Sequence, residues 1–177
     1  MAVKKKVRLE IVNEFFKRQI EPIPGLEITI TDWPPPIDHY TILDLLKDPV
    51  ARNLISMARG KELELATPSL HLYFDGFNMT VTTEKDGVYV SLSLTWTTIP
   101  AMGQNIREAL TSLLEKLKNE RDIKAKEITK AEEAIEWFRK IWSEQFDIDD
   151  RDIKMMKEIY DKANVAINVI QSALARA

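Results

Sequence analysis

The chain has 177 residues, a formal net charge of −3 and no cysteine. This length suffices for one modest domain with an extension, and the lack of cysteine excludes disulfides, thiolate catalysis and zinc–thiolate sites. The slightly acidic balance argues against indiscriminate coating of duplex DNA, although it leaves room for a local basic groove. Because no long apolar stretch or signal peptide is present, we expect a cytoplasmic protein without a membrane partner.

The first predicted element is an amphipathic helix, KKKVRLEIVNEFFKRQI, at residues 4–20. Its apolar residues form one stripe, and prolines and a glycine follow it. A second helix is predicted over residues 41–60, after a proline-rich connector. We expect this helix to break at Asp48-Pro49 and to end with Gly60 as its C-cap.

Alternation of apolar and polar residues predicts a sheet in the first two thirds of the chain. It occurs in LEITIT (residues 26–31), KELEL (61–65), SLHLYF (69–74) and FNMTVTTEKDGVYVSLSLTW (77–96). Such alternation is typical of antiparallel strands with one buried face. We therefore expect an antiparallel sheet of four or five strands, whose other face is rich in serine, threonine, tyrosine and histidine.

The longest of these segments reads as a hairpin. Asp86-Gly87 is its predicted two-residue turn, because a type I′ turn needs positive φ at both central positions. This turn pairs Val81 with Leu92 and Thr82 with Ser91. Apolar residues then meet apolar residues along the ladder, and polar residues meet polar ones.

Two long helices are predicted in the last two fifths of the chain. No proline or glycine occurs between residues 104 and 146, and one unbroken helix there would be about 65 Å long. Such a helix must project from the sheet or pack on another long helix. The sequence does not decide whether the helix bends in its polar middle. Asp149 is the predicted N-cap of the next helix, with Asp152 at the capping-box position. This helix carries a heptad seam from Ile153 to Leu174 and a second apolar stripe, which predicts burial on more than one side.

These elements predict an α+β protein with two parts. Residues 1–101 would form a small antiparallel sheet flanked by helices. Residues 102–177 would form a long C-terminal helical hairpin or coiled coil. We expect this hairpin to join copies of the chain into a homo-oligomer, a dimer or a tetramer, through residues 103–177.

Catalytic motifs are hard to find. His39 and His71 are the only histidines, and neither a G-x-S-x-G elbow nor a phosphate-binding glycine loop is present. DIDDRDIKMMKE matches an EF-hand loop at positions 1, 3 and 12, but Asp152 stands where the loop needs glycine, so a helix cap is favoured. We expect no enzyme, no metal and no cofactor.

Basic and aromatic residues favour nucleic-acid binding, because proteins that bind single strands combine a basic track with aromatic platforms. The first helix would hold phosphates, while tyrosines of the sheet and Trp33 would stack on bases. The alternatives are lysines that only raise solubility and a sheet face that is simply hydrated. The candidate residues are Lys4, Lys5, Lys6, Arg8, Lys17, Arg18, Trp33, Arg52, Arg59, Lys61, His71, Tyr73 and Tyr89.

The order of elements resembles a known family. VRLEIVNEFFKRQI, the strands around HLYFDGFNMTVTTEKDGVYVSLSLTW and the helices after Gly103 resemble the ThermoDBP and ThermoDBP-related proteins of thermophilic archaea. The resemblance implies an archaeal, thermophilic source, a helix-flanked sheet that binds single-stranded DNA, and a C-terminal coiled coil that drives assembly. A charged fraction of 30% is common in thermophile proteins.

We therefore expect non-catalytic, sequence-independent binding of single-stranded DNA, with RNA left open. The alternative is a coiled-coil scaffold or adaptor whose polar sheet face binds another protein.

Overall fold

The computed structural model describes residues 27–30, 42–59, 62–65, 69–95, 97–142 and 150–176. It confirms the predicted α+β class, because a four-stranded antiparallel sheet is combined with helices that include a long C-terminal pair. The described elements, in chain order, are β1 (Glu27–Ile30), α1 (Ile42–Lys47), α2 (Pro49–Met57), β2 (Glu62–Leu65), β3 (Ser69–Phe74), β4 (Phe77–Glu84), β5 (Gly87–Ser93), β6 (Thr98–Gly103), α3 (Ile106–Trp142) and α4 (Arg151–Ala175).

The strands form two sheets instead of one. Strands β3, β4, β5 and β6 are neighbours in that order, and each pairs antiparallel with the next. Strands β1 and β2 were expected to join them, but they pair with each other in parallel. The reason is the connection between them, because α1 and α2 supply the helical crossover that parallel neighbours require.

The predicted register of the β4–β5 hairpin is wrong by two residues. Glu84 pairs with Gly87, so the turn is centred on Lys85 and Asp86 and not on Asp86-Gly87. Val81 consequently pairs with Val90 instead of Leu92. A shift of two residues keeps every side chain on its predicted face, so alternation alone could not detect the error.

The two described glycines with positive φ, Gly76 and Gly87, serve different purposes. Asp75-Gly76 forms the two-residue turn between β3 and β4, and Gly76 has a φ of 91°. Gly87, with a φ of 145°, begins β5 at a close approach to β6. A Cβ atom at Gly87 would collide with the carbonyl oxygen of Gly103. The glycine that suggested a turn centre is thus required by the close packing of two strands.

The edge strand β6 was not predicted, because Pro100 lies at its centre. Proline lacks an N–H donor and is tolerated in sheets mainly at edges. Strand β6 is such an edge, since only β5 pairs with it among the described strands. The Nζ of Lys116 donates a hydrogen bond to the Pro100 carbonyl oxygen at 2.6 Å, which occupies one acceptor of β6.

The helix break at Asp48-Pro49 is confirmed. The Asp48 carboxylate caps α2 by accepting a hydrogen bond from the backbone N–H of Val50 at 2.8 Å. The other end differs from the prediction, because Ala58 occupies the C-cap position. Its extended backbone ends the helix two residues before Gly60, which lies outside the described residues.

The helices α3 and α4 form an antiparallel hairpin. Helix α3 is 37 residues long, about 56 Å, and continues through the polar middle whose geometry the sequence left open. Arg121 contacts Asn164 and Glu132 contacts Lys157, so the two helices run in opposite directions. The N-cap of α4 is Asp150, without a side-chain cap bond, and not Asp149, which lies outside the described residues.

A single buried cluster joins the sheet to the helices. It contains one face of β3 to β6, the buried sides of α1 and α2, the first third of α3, and α4 from Ile159 to Ala173. The two apolar stripes of α4 are therefore both used within one chain, from Ile159 to Ala173. The amide of Asn53 also donates to the carbonyl oxygen of Ala173 at 2.9 Å, which ties α2 to α4. The division at residues 101 and 102 stays a prediction, and the core extends across it.

Candidate nucleic-acid interface

The face of the β3–β6 sheet that points away from the buried cluster is called the outer face here. Twelve of its side chains lie in three rows across four strands, and none of these twelve is lysine, arginine, aspartate or glutamate. The exposed carboxylate of Glu84 lies on the same face, one position beyond Thr82 at the end of β4. The rows are Ser69–Thr82–Tyr89–Met102, His71–Thr80–Ser91–Pro100 and Tyr73–Asn78–Ser93–Thr98.

Cross-strand hydrogen bonds organise the polar side chains of the outer face. The hydroxyls of Ser69 and Thr82 are 3.0 Å apart, and Nδ1 of His71 is 3.2 Å from Oγ1 of Thr80. A third contact joins the hydroxyls of Ser93 and Thr98 at 3.4 Å. A hydroxyl offers one donor and two acceptor sites, so each retains hydrogen-bonding capacity toward a ligand. The result is an ordered surface that suits polar, uncharged groups.

The two tyrosines of the outer face are far apart. Tyr73 on β3 is 57% exposed, whereas Tyr89 on β5 is half-buried. Two strand spacings and four residues separate them, which places their Cα atoms roughly 16 Å apart. They cannot hold the same base between them. Each could contact a different base of an extended strand, and His71 lies one row from Tyr73.

Arg59 is the candidate cation that the structure places at the edge of this sheet. Its backbone N–H donates to the carbonyl oxygen of Tyr73 at 2.7 Å, so it lies along the edge of β3 that does not pair with β4. Its Nε forms an ion pair with Asp75 at 2.8 Å, and both side chains are largely exposed. A guanidinium carries five N–H donors, so the pair leaves donors for a phosphate.

The other basic candidates are distributed differently. Arg52 lies on α2, on the helical side of the sheet, and is half-buried. The structure therefore does not bring it to the outer face. The remaining candidates lie outside the described residues, and their contact with this face stays a prediction: Lys4, Lys5, Lys6, Arg8, Lys17, Arg18, Trp33 and Lys61.

Three residues of this region were not predicted from the sequence. Met102, which is 55% exposed, and Pro100 reach the outer face from β6, and Asp75 pairs with Arg59. A signal for β6 existed, because Ile99 and Ala101 alternate with the exposed residues of this strand. The central proline outweighed that signal.

A polar cluster fixes the loop after β5 to α4. The Nζ of Lys162 lies 2.7 Å from the Glu158 carboxylate and 2.5 Å from Oγ1 of Thr95. The hydrogen bond from Lys162 and its positive charge hold the pKa of Glu158 below its ordinary value. This cluster lies beside the Asp75-Gly76 turn, because a Cβ at Gly76 would be 3.3 Å from the Lys162 side chain.

Over the described ranges, no three His, Asp or Glu side chains gather as metal ligands. No helix in that part of the chain combines the length and apolar character needed to cross a membrane. Comparison of the chain with protein-family models, curated proteins and solved structures found no match. The resemblance to the ThermoDBP proteins stays a prediction.

Proposed function

We propose that the protein binds single-stranded nucleic acid without catalysis, through the outer face. The observation that carries this proposal is the exposure of Tyr73 on a hydroxyl-lined sheet face, whose three rows contain no charged side chain, with Arg59 at its edge. Stacking of a base on an aromatic side chain contributes about 1–3 kcal/mol and tolerates any base. Each hydroxyl can both donate and accept a hydrogen bond, so it can contact the edge of any base. We therefore expect only a weak sequence preference.

In this proposal, bases and phosphates occupy different places on the protein. Bases would lie on the uncharged rows, and phosphates would follow the free edge of β3 near Arg59. One phosphate contact changes the logarithm of affinity by about 0.7 per decade of salt for single strands. A slope near that value would mean that Arg59 acts alone. A steeper slope would mean that the basic N-terminal segment takes part.

The proposal is tested by titrating the full chain into a fluorescently labelled oligo-dT of about 25 nucleotides, and into its duplex, at two salt concentrations. We expect salt-sensitive binding to the single strand and weak binding to the duplex. A parallel titration with oligo-rU compares RNA with DNA. Absence of binding to every probe at low salt would contradict the proposal.

The tyrosines give a residue-level test. Replacing Tyr73 or Tyr89 by alanine should each weaken binding by about 5- to 150-fold, from the stacking energy. The two losses should add, because the residues are too distant to share a base. Val165→Ala is the control, since Val165 is 44% exposed but lies on α4, away from the outer face. If the double variant binds as tightly as the parent, the tyrosines do not belong to the binding site.

We also propose that the α3–α4 hairpin joins copies of the chain. Several modest sites on one strand would then act together, and linked sites raise avidity by about 10²–10⁴-fold when geometry permits. This assembly is independent of the ligand that the outer face takes.

A docking surface for another protein is the second candidate function. The observation that favours it is the absence of charged side chains from the three rows of the outer face, with Glu84 only at its border, because depletion of charge is typical of interface cores. The oligonucleotide titration separates the two candidates. A chain that binds no nucleic acid at low salt would direct attention to a protein partner.

A further inference from the structure

An ion pair at the edge of β3 holds the side chain of Arg59. The Nε of Arg59 lies 2.8 Å from a carboxylate oxygen of Asp75, the first residue of the turn between β3 and β4. The backbone N–H of Arg59 is bonded to the carbonyl oxygen of Tyr73 at 2.7 Å. Arg59 is therefore tied to this strand through both its backbone and its side chain, and its guanidinium lies at Asp75.

Both members of this ion pair are largely exposed to solvent. The side chain of Arg59 is 73% exposed and that of Asp75 is 77% exposed. Exposed ion pairs are weak, because water and salt screen the two charges and because both side chains lose freedom when they pair. A second anion that reaches Arg59 can therefore replace the carboxylate at small cost.

A second cation beside the same turn is held by more contacts. A Cβ atom at Gly76, the other residue of the turn, would be 3.3 Å from the side chain of Lys162. The Nζ of Lys162 contacts both Glu158 and Thr95, and the Thr95 hydroxyl donates to the Glu158 carboxylate at 3.3 Å. These three groups form a closed set of contacts between α4 and the loop after β5. Of the two cations, Arg59 is thus the one that can change its partner.

A phosphate and the Asp75 carboxylate compete for the same guanidinium. Both are anions, and a guanidinium binds either of them through its fork of N–H donors. If a phosphate bound beside Asp75 instead of replacing it, two negative charges would lie on one cation and would repel each other. The carboxylate therefore opposes phosphate binding in either arrangement.

We infer that Asp75 limits the affinity of the protein for single-stranded nucleic acid, because its carboxylate occupies Arg59 at the place where a strand phosphate would bind. This inference rests on the proposed function and adds an affinity-determining residue to it. A strand whose base stacks on Tyr73 exchanges the carboxylate for one of its own phosphates. The released carboxylate stays in water, so the exchange buries no unpaired charge.

The first test measures the affinity of the full-length Asp75→Asn variant for the labelled oligo-dT at physiological salt. This replacement removes the charge but keeps the size of the side chain, and Asn-Gly is a favourable pair in two-residue hairpin turns. We expect the variant to bind about 1.5- to 5-fold more tightly than the parent, the factor that corresponds to the strength of exposed ion pairs. Equal or weaker binding would overturn the inference.

The matched control is Glu84→Gln, which removes one negative charge from the other end of β4. Phe77 and Glu84 are the first and last of the eight residues of β4, so roughly 23 Å separates Glu84 from the turn. This distance is nearly three times the screening length of about 8 Å at physiological salt. Glu84→Gln should leave the affinity almost unchanged. An equal gain in both variants would indicate a general effect of net charge and contradict the role of Asp75.

A double-mutant cycle tests whether the effect of Asp75 passes through Arg59. Arg59→Gln should weaken binding by itself, because it removes the cation. In that background Asp75→Asn should have no larger effect than Glu84→Gln, since the group that the carboxylate occupies is gone. An undiminished gain would mean that Asp75 acts on the strand directly, and it would overturn the exchange at Arg59.

The ion pair can also be observed without nucleic acid. The NMR signal of the Arg59 Nε–H should move when Asp75 is replaced by asparagine and should stay in place in Glu84→Gln. The same signal should move when the parent chain is titrated with oligo-dT. An Arg59 signal that is insensitive to Asp75→Asn would overturn the inference, whatever the affinities are.

The outcomes separate this inference from the proposed function. If neither the parent nor the Asp75→Asn variant binds any oligonucleotide at low salt, both are wrong. If the parent binds single strands and Asp75→Asn does not tighten that binding, only the role of Asp75 is wrong.

Discussion

Replacement of Ile170 by alanine tests whether the C-terminal helix belongs to the core of the sheet. Ile170 lies on α4, almost eighty residues after the last residue of β5, and is fully buried. If the hairpin were a separate unit, this change would loosen the helices and leave the sheet intact. If one core joins them, the whole chain should lose stability in a single transition.

The expected magnitude follows from the burial. Removing three heavy atoms from a fully buried isoleucine destabilises a protein by about 2–5 kcal/mol, depending on how far the cavity collapses. For a chain of this size, each kcal/mol lowers the melting temperature by about 2–4 °C. We expect Ile170→Ala to lower it by roughly 4–20 °C.

The assay is thermal unfolding followed by far-UV circular dichroism and by NMR signals of β5, at one protein concentration. The control is Val165→Ala on the same helix, because Val165 is 44% exposed. That change should alter the free energy of unfolding by no more than about 0.5 kcal/mol. Separate transitions for helix and strand signals in Ile170→Ala would refute the single core.

Three further predictions concern the turn, the helix cap and the polar cluster. Gly87→Ala should be strongly destabilising in chemical denaturation, because it combines a positive φ with a Cβ that collides with the Gly103 carbonyl. Asp48→Ala should lower the free energy of unfolding by about 0.5–2 kcal/mol in the same assay, whereas Asp48→Asn should retain most of the cap. The lowered pKa of Glu158 means that its bond to Lys162 adds stability above the ordinary glutamate pKa. That stability should disappear as pH falls through the lowered value, and NMR titration of the Glu158 carboxyl should show the shift.

Much of the fold could be predicted, because it depends on periodicity. The alternation in residues 69–94 predicted which side of each strand is buried, from Leu70 to Leu94. Helix α3 and the break at Asp48-Pro49 followed from helix spacing and from proline. These features are local, so the sequence near each residue contains the information that determines them.

What could not be predicted depends on contacts between distant segments. The true role of Gly87 involves the carbonyl of Gly103, and the parallel pairing of β1 with β2 depends on a crossover. The second stripe of α4 suggested an oligomer, but the same chain buries it.

The candidate site was only partly predictable. Tyr73 and Tyr89 were placed correctly on one face of one sheet, because strand alternation determines the face. Their separation of roughly 16 Å depends on strand order and register, which alternation does not give. Arg59 follows α2 and donates a backbone hydrogen bond to Tyr73. Arg52 lies on α2, on the other side of the sheet. Both positions depend on how segments distant in sequence pack together, which the local pattern does not give.

The most direct test of the central claim is an NMR titration of the isotope-labelled full chain with unlabelled oligo-dT. Binding at the outer face predicts chemical-shift changes at Tyr73, Thr80 and Tyr89, and at Arg59 along the edge. Signals of the hairpin beyond Leu117 should stay in place. Changes confined to the hairpin, or none at saturating oligonucleotide, would contradict the assignment of the outer face as the nucleic-acid site.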